Sequence, residues 1–63
     1  MSSPATRLFT VLELLQSHDE LSGTALALRL EVDGRTLRRY ISKLQALGIP
    51  IASDRGRYGA YRL

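Results

Sequence analysis

The 63-residue sequence has no cysteine, a single histidine and no long hydrophobic run. Without cysteine the chain cannot form disulfides, thiolate zinc sites or thiol nucleophiles, and one histidine cannot form a histidine metal cluster. No apolar stretch approaches the roughly 20 residues of a membrane-spanning helix, and the opening residues MSSPATR lack the apolar core of a signal peptide. We therefore expect a small, soluble, cytoplasmic domain with no metal, no cofactor and no membrane partner.

A chain of this length is expected to form one domain with a thin core, and its hydrophobic content of 44% is typical of a globular protein. Such a core leaves little room for a catalytic pocket that excludes water. Residues 18–20 (His-Asp-Glu) offer acid–base groups, but no nucleophile accompanies them. We therefore expect a binding domain, not an enzyme, with no catalytic residues.

Positive charge is concentrated in the second half of the chain, where acidic residues are scarce. Residues 1–34 carry two basic and five acidic residues, a net charge of −3, whereas residues 35–63 carry seven basic and one acidic residue, a net charge of +6. An arginine-rich half of this charge density is typical of a surface that binds a polyanion such as nucleic acid. The alternative interpretation is a charged face that contacts only solvent.

Capping residues and hydrophobic spacing predict three helices. The predicted helices span about 4–17, 23–30 and 34–47. Each follows a residue type that commonly caps helices, namely Ser3 before Pro4, then Ser22, then Asp33. Gly48 is expected to end the third helix, since the proline that follows cannot continue it.

Apolar residues at intervals of three and four predict one buried face on each helix. On the first helix these are Leu8, Val11, Leu12 and Leu15, widened by Phe9 and Leu14. The second helix contributes Leu26 and Leu30, and the third contributes Leu37, Tyr40, Ile41, Leu44 and Leu47.

Residue types after the third helix predict a wing hairpin over about 50–63, in which residues 50–54 pair with residues 59–63. Leu21 is expected to form one rung of a very short strand. Two short consecutive helices followed by a basic hairpin are typical of a winged helix-turn-helix. The predicted fold class is therefore mainly α with a small β-hairpin, three helices plus a C-terminal wing.

The third helix is expected to present its basic side chains to a nucleic acid. At about 100° per residue, Arg35, Arg38 and Arg39 point away from the apolar stripe, and residues 34–53 include no acid. We therefore predict sequence-specific binding of double-stranded DNA, with this helix in the major groove and the wing tip on the backbone or minor groove. The candidate DNA-binding residues are Arg35, Thr36, Arg38, Arg39, Ser42 and Lys43 on the third helix, Thr24 on the second, and Arg55, Arg57 and Tyr58 at the wing tip.

Three strings, VDGRTLRRYI at 32–41, GIPI at 48–51 and GRYGAYRL at 56–63, resemble the N-terminal winged helix-turn-helix of bacterial WYL-domain transcription regulators. The module is also similar to the DNA-binding domains of DeoR-type and biotin-repressor-type regulators. The resemblance implies a bacterial transcription regulator that acts at the nucleoid. Residues 4–63 would then be a DNA-binding domain excised from a longer chain with a C-terminal sensor domain that binds a ligand.

Three positions depart from the pattern of these regulators. Asp33 replaces the usual serine cap, which puts an anion near DNA. Tyr40 replaces an acidic residue, so an ion pair of the family is absent, and Ala60 replaces the middle residue of a Gly-Gly-Tyr string.

The partner and the assembly are expected to be duplex DNA and a homodimer of the full-length protein, because paired half-sites multiply affinity. The 63-residue chain alone can be monomeric. One alternative is a winged-helix protein-interaction module whose basic face binds an acidic partner. Another is single-strand binding, since residues 56–59 match the GXXG loop of KH modules, although here that string lies in a strand context.

Overall fold

The computed structural model describes residues 3–54 and 59–63, which form three helices and three short strands. In chain order these are α1 (Pro4–Ser17), β1 (Leu21–Ser22), α2 (Gly23–Leu30), α3 (Gly34–Ala46), β2 (Ala52–Ser53) and β3 (Ala60–Arg62). The predicted fold class is confirmed, because the chain is mainly helical with a small antiparallel hairpin after a helix-turn-helix of α2 and α3. None of the helices in the described residues has the length and hydropathy that a bilayer crossing needs.

Each helix starts at a residue whose side-chain oxygen accepts a hydrogen bond from a backbone amide three residues later. These bonds run from Thr6 N to Ser3 Oγ (3.2 Å), from Ala25 N to Ser22 Oγ (3.0 Å) and from Thr36 N to Asp33 Oδ1 (2.7 Å). The caps satisfy amides that have no partner inside a helix. The three N-cap residues predicted from the sequence are therefore confirmed, and each helix begins directly after its cap.

The turn between α2 and α3 is short because Glu31 adopts a left-handed backbone conformation, with a φ of 57°. Glu31 N then donates to Leu28 O at 3.2 Å, and Val32 N donates to Ala27 O at 3.0 Å. These two bonds satisfy carbonyl oxygens at the end of α2. Asp33 follows directly as the cap of α3, so the two helices are joined without a flexible linker.

The three strands form one antiparallel sheet in which β3 lies between β1 and β2. Tyr61 of β3 pairs with Leu21 on one side and with Ser53 on the other. Leu21 therefore does form a rung of a very short strand. This rung attaches the hairpin to the segment between α1 and α2.

The hairpin strands are shorter than the predicted pairing of residues 50–54 with residues 59–63. Pro50 has no amide hydrogen to donate to a ladder. The amide of Ile51 donates instead to Ile49 O at 2.8 Å, inside its own segment. Regular pairing in the described residues therefore starts only at β2.

All three helices contribute to the core, together with residues of β1 and of the segment before β2. The buried side chains are Val11, Leu15, Leu21, Leu26, Ala27, Leu30, Leu37, Tyr40, Ile41, Leu44 and Ile51. Because these residues are spaced at helical intervals, one side of α3 packs into the core and the opposite side is exposed to solvent.

Two residues predicted to be buried are exposed, Phe9 by 65% and Leu47 by 73%. Phe9 lies about 130° around α1 from the middle of the buried stripe, too far to reach the core. Leu47 lies outside α3, which ends at Ala46, one residue earlier than predicted. Gly48 follows with a φ of 92° and turns the chain at this point.

Candidate nucleic-acid interface

The outward side of α3 brings five of the predicted site residues together. They line one shallow depression of about 410 Å³, and we call this surface the arginine face: Arg35, Arg38, Arg39, Ser42 and Lys43. All five are exposed, whereas Leu37, Ile41 and Leu44 on the opposite side of the same helix are buried. The three arginines thus project from one surface of the domain.

No acidic side chain forms a salt bridge with the four cations of the arginine face, within the part of the chain that the structure describes. The nearest acid in the sequence, Asp33, caps α3 instead. The backbone hydrogen bond from Thr36, helped by the Thr36 side chain and by attraction to Arg38 and Arg39, lowers the pKa of Asp33 below its ordinary value. The cap is therefore an anion, and the positive charge of the face is not neutralised by ion pairing.

A groove of about 580 Å³, which we call the α2 groove, lies between α2 and α3 on one side of the arginine face. Thr24, from the first turn of α2, and Arg38 both line it, so the structure brings these two predicted site residues together. Leu28 lines the same groove and is 74% exposed. Leu28 is not among the predicted site residues, although its position two residues from both Leu26 and Leu30 indicates that it faces outward.

A smaller hollow of about 190 Å³ lies on the other side of the arginine face, between α3 and the start of α1. We call it the α1 hollow, and its lining residues are Pro4, Thr36, Arg39, Tyr40 and Lys43. Thr36, a predicted site residue, is half-buried here and not on the outward ridge. Two exposed cations, Arg39 and Lys43, therefore line the hollow together with the half-buried Thr36 and the buried Tyr40.

Tyr40 connects α3 to α1 through its hydroxyl group. The Arg7 guanidinium donates from Nη1 to Tyr40 Oη at 3.3 Å, and the Tyr40 side chain is only 8% exposed. Tyr40 was predicted to be a core residue, which its burial confirms, but this bond was not predicted. Its partner is 33 positions away in the sequence, and local spacing carries no signal for such a contact.

The base of the hairpin is attached to the start of α2. Gly23 N donates to Gly59 O at 3.1 Å. A Cβ atom at position 23 would lie 3.4 Å from the ring of Tyr61 and 3.6 Å from Gly59 O, so the two segments are in close contact here. The predicted wing-tip residues Arg55, Arg57 and Tyr58 lie outside the described residues.

Residues 18–20, the acid–base candidate, lie in the loop between α1 and β1. His18 Nδ1 lies 2.9 Å from the carbonyl oxygen of Leu14, within the same segment of chain, and Asp19 and Glu20 are exposed. The described residues contain no group of three or more histidine, aspartate or glutamate side chains that could hold a metal ion.

Comparison with known proteins gives one clear result. The sequence model of the HTH domain family matches residues 7–62, nearly the whole chain. No solved structure matches the chain significantly. The matched segment runs from the first turn of α1 to the end of β3. It therefore includes the arginine face, the groove between α2 and α3, and every residue that lines the α1 hollow except Pro4.

Proposed function

The chain belongs to the HTH domain family, whose helix-turn-helix binds DNA, and we propose that it serves as the sequence-specific DNA-binding domain of a transcription regulator. The observation that carries the proposal is the arginine face. Three arginines and a lysine project from one side of the second helix of the helix-turn-helix, with no ion-pairing acid among the described residues. This is the helix that enters the major groove in helix-turn-helix proteins.

Arginine suits direct base reading because its guanidinium donates two parallel hydrogen bonds to O6 and N7 of guanine. Each such pair provides about 1–3 kcal/mol of discrimination against a wrong base. Arg35 lies in the first turn of α3 and at the middle of its outward side, the position from which a recognition helix contacts base edges. Ser42 lies on the same outward side and can contact a base or sugar.

Phosphate contacts position the domain on the duplex. Thr24 lines the α2 groove beside Arg38 and is exposed, which suits a contact with the strand that passes α2. We assign Arg55, Arg57 and Tyr58 at the wing tip to the adjacent backbone or minor groove. This assignment is supported by their residue types and by the attachment of the hairpin base to α2.

The wider assignment is a bacterial WYL-domain regulator that acts at the nucleoid. In this proposal, residues 4–63 are the DNA-binding domain of a longer, homodimeric chain with a C-terminal sensor domain. It rests on the resemblance of residues 32–41, 48–51 and 56–63 to that family. Two copies on two half-sites would multiply the affinity of one small domain.

The test is selection of binding sites from a randomised duplex library, followed by titration of the selected duplex by fluorescence anisotropy. We expect a preferred sequence and an affinity that falls steeply between about 50 and 200 mM salt. Arg38→Ala should weaken binding to the selected duplex more than Arg29→Ala, since Arg29 is an exposed arginine of α2 that lines neither the groove nor the arginine face.

Failure of wild-type protein to bind any duplex at low salt would contradict the proposal. It would favour the alternative of a winged-helix module that binds an acidic protein partner.

A further inference from the structure

The four cations of the arginine face point in different directions around the axis of α3. At about 100° per residue, Arg35 and Ser42 form the middle of the outward side of α3. Arg38 lies about 60° from Arg35 toward α2, whereas Arg39 and Lys43 lie about 40° and 80° away in the other direction. The cavities agree with this order, because Arg38 lines the α2 groove while Arg39 and Lys43 line the α1 hollow.

A helix in the major groove turns the middle of its outward side to the base edges and its two flanks to the two phosphate backbones. From this geometry we infer that the α1 hollow is a seat for one backbone phosphate, on the flank of α3 opposite the α2 groove. The inference rests on the proposed duplex binding and deepens it, because it separates the phosphate-binding cations from those that read bases.

The donors of the seat come from three side chains. Arg39 and Lys43 are exposed and carry positive charge, and no acidic residue lines the hollow. The third donor is the Tyr40 hydroxyl. Thr36 also lines the hollow, but we do not count it as a donor, because its backbone amide and its side chain both bond to Asp33.

The bond with Arg7 explains how the hydroxyl of a core tyrosine becomes a donor. Tyr40 Oη accepts a hydrogen bond from Arg7 Nη1 at 3.3 Å, which leaves the hydroxyl hydrogen of Tyr40 to be donated elsewhere. Tyr40 is buried and lines the hollow, so its side chain is held in a fixed position there. Arg7 is a positioning residue here and also brings a positive charge behind the seat.

The first turn of α1 completes the surroundings of the seat. Pro4, the first residue of that 14-residue helix, lines the hollow beside Lys43 and Arg39. The start of a helix carries partial positive charge, which adds to the attraction of an anion already held by the side chains.

The experiment titrates a labelled random-sequence duplex of about 20 base pairs against wild type and four variants at several salt concentrations. The variants are Arg39→Ala, Lys43→Ala, Tyr40→Phe and, as the matched loss of one positive charge elsewhere, Arg29→Ala. Arg39→Ala and Lys43→Ala should each reduce the dependence of log affinity on log salt by about one unit, whatever the duplex sequence. Arg29→Ala should leave this salt dependence unchanged.

Tyr40→Phe removes no charge, but it removes both the hydroxyl donor and the acceptor of the bond from Arg7. It should weaken duplex binding roughly two- to twelvefold, the equivalent of one net hydrogen bond, without changing the salt dependence. The decisive readout is the double variant with Lys43→Ala. If both side chains hold one phosphate, Tyr40→Phe costs less affinity in the Lys43→Ala background than in wild type. A tyrosine that matters only for folding would lower the melting temperature and cost the same affinity in both backgrounds.

The outcomes separate the two proposals. If wild type binds the duplex but Arg39→Ala and Lys43→Ala behave like Arg29→Ala, the phosphate seat is refuted and the proposed function stands. If the Tyr40→Phe and Lys43→Ala effects on affinity are additive, Tyr40 has no part in the seat. If wild type does not bind the duplex, the proposed function itself fails.

Discussion

Leu26 and Leu28 lie two residues apart on α2 and face opposite sides of the helix, one fully buried and the other largely exposed to solvent beside the arginine face. Two residues correspond to about 200° of helical rotation, so the first points into the core while the second points away from it. The same rotation separates the buried side of α3 from its outward side.

This pair predicts a sharp contrast in stability. Leu26→Ala should lower the free energy of unfolding by about 2–5 kcal/mol, because it leaves a cavity in the core. A domain this small has only a few kcal/mol to lose, so we expect the variant to be largely unfolded at room temperature. Leu28→Ala should change the free energy of unfolding by less than about 0.5 kcal/mol. Urea denaturation followed by circular dichroism checks both, and equal losses would contradict the assignment of the core.

Gly34, the first residue of α3, and Gly48, two residues beyond its end, should respond to alanine in opposite directions. Gly48 has a φ of 92°, which strains any residue with a Cβ, so Gly48→Ala should cost about 1–2 kcal/mol. Gly34 is the first residue of α3, and a Cβ there meets nothing within 4 Å. Gly34→Ala should therefore stabilise the domain by about 0.4–1 kcal/mol. Thermal melts of both variants test the pair, and a stabilised Gly48→Ala would refute the geometry given for the end of α3.

Glu31 offers a stabilising substitution in the turn. Glycine adopts its left-handed conformation without the strain of about 1–2 kcal/mol that other residues carry. After subtraction of the greater entropy of glycine in the unfolded chain, Glu31→Gly should gain about 0.5–1 kcal/mol. Glu31→Gln is the control, because it removes the charge but keeps the Cβ atom. If the two variants melt at the same temperature, strain at this turn is not the cause.

The cap of α3 predicts a pH-dependent difference. Asparagine caps helices as well as aspartate does, so Asp33→Asn keeps the bond to Thr36 and removes the charge. The fold lowers the pKa of Asp33, hence its charge stabilises the native state above the unfolded pKa of about 3.9. That contribution is lost as pH falls through the lower pKa of the folded state.

Wild type should therefore melt above Asp33→Asn near pH 7, and the gap between their melting temperatures should shrink as the pH falls below about 3.9. A gap that stays constant over this range would show that the charge of Asp33 is not involved.

Local signals in the sequence were sufficient for much of this structure. Asp33 and the spacing of Leu37, Ile41 and Leu44 predict both the start of α3 and its buried side, because caps and helical periodicity depend on residues within a few positions. That periodicity also places the arginines opposite the core.

The remaining features depend on contacts that local signals do not carry. Phe9 and Leu47 were wrongly predicted to be buried: Phe9 lies too far around α1 from its buried stripe, and Leu47 lies beyond the end of α3. The bond between Arg7 and Tyr40 joins two helices across 33 positions of sequence. The α1 hollow exists only through that packing, so the sequence alone could not predict it.

The most direct test of the central claim is a map of backbone amide chemical shifts as a short duplex is added to the labelled domain. We predict that the amides of α3 from Arg35 to Lys43 shift together with Thr24, whereas the amides around Phe9 and Leu47 do not. Shifts concentrated around Phe9 and Leu47, with residues 35–43 unchanged, would contradict the claim that the arginine face is the surface that binds DNA.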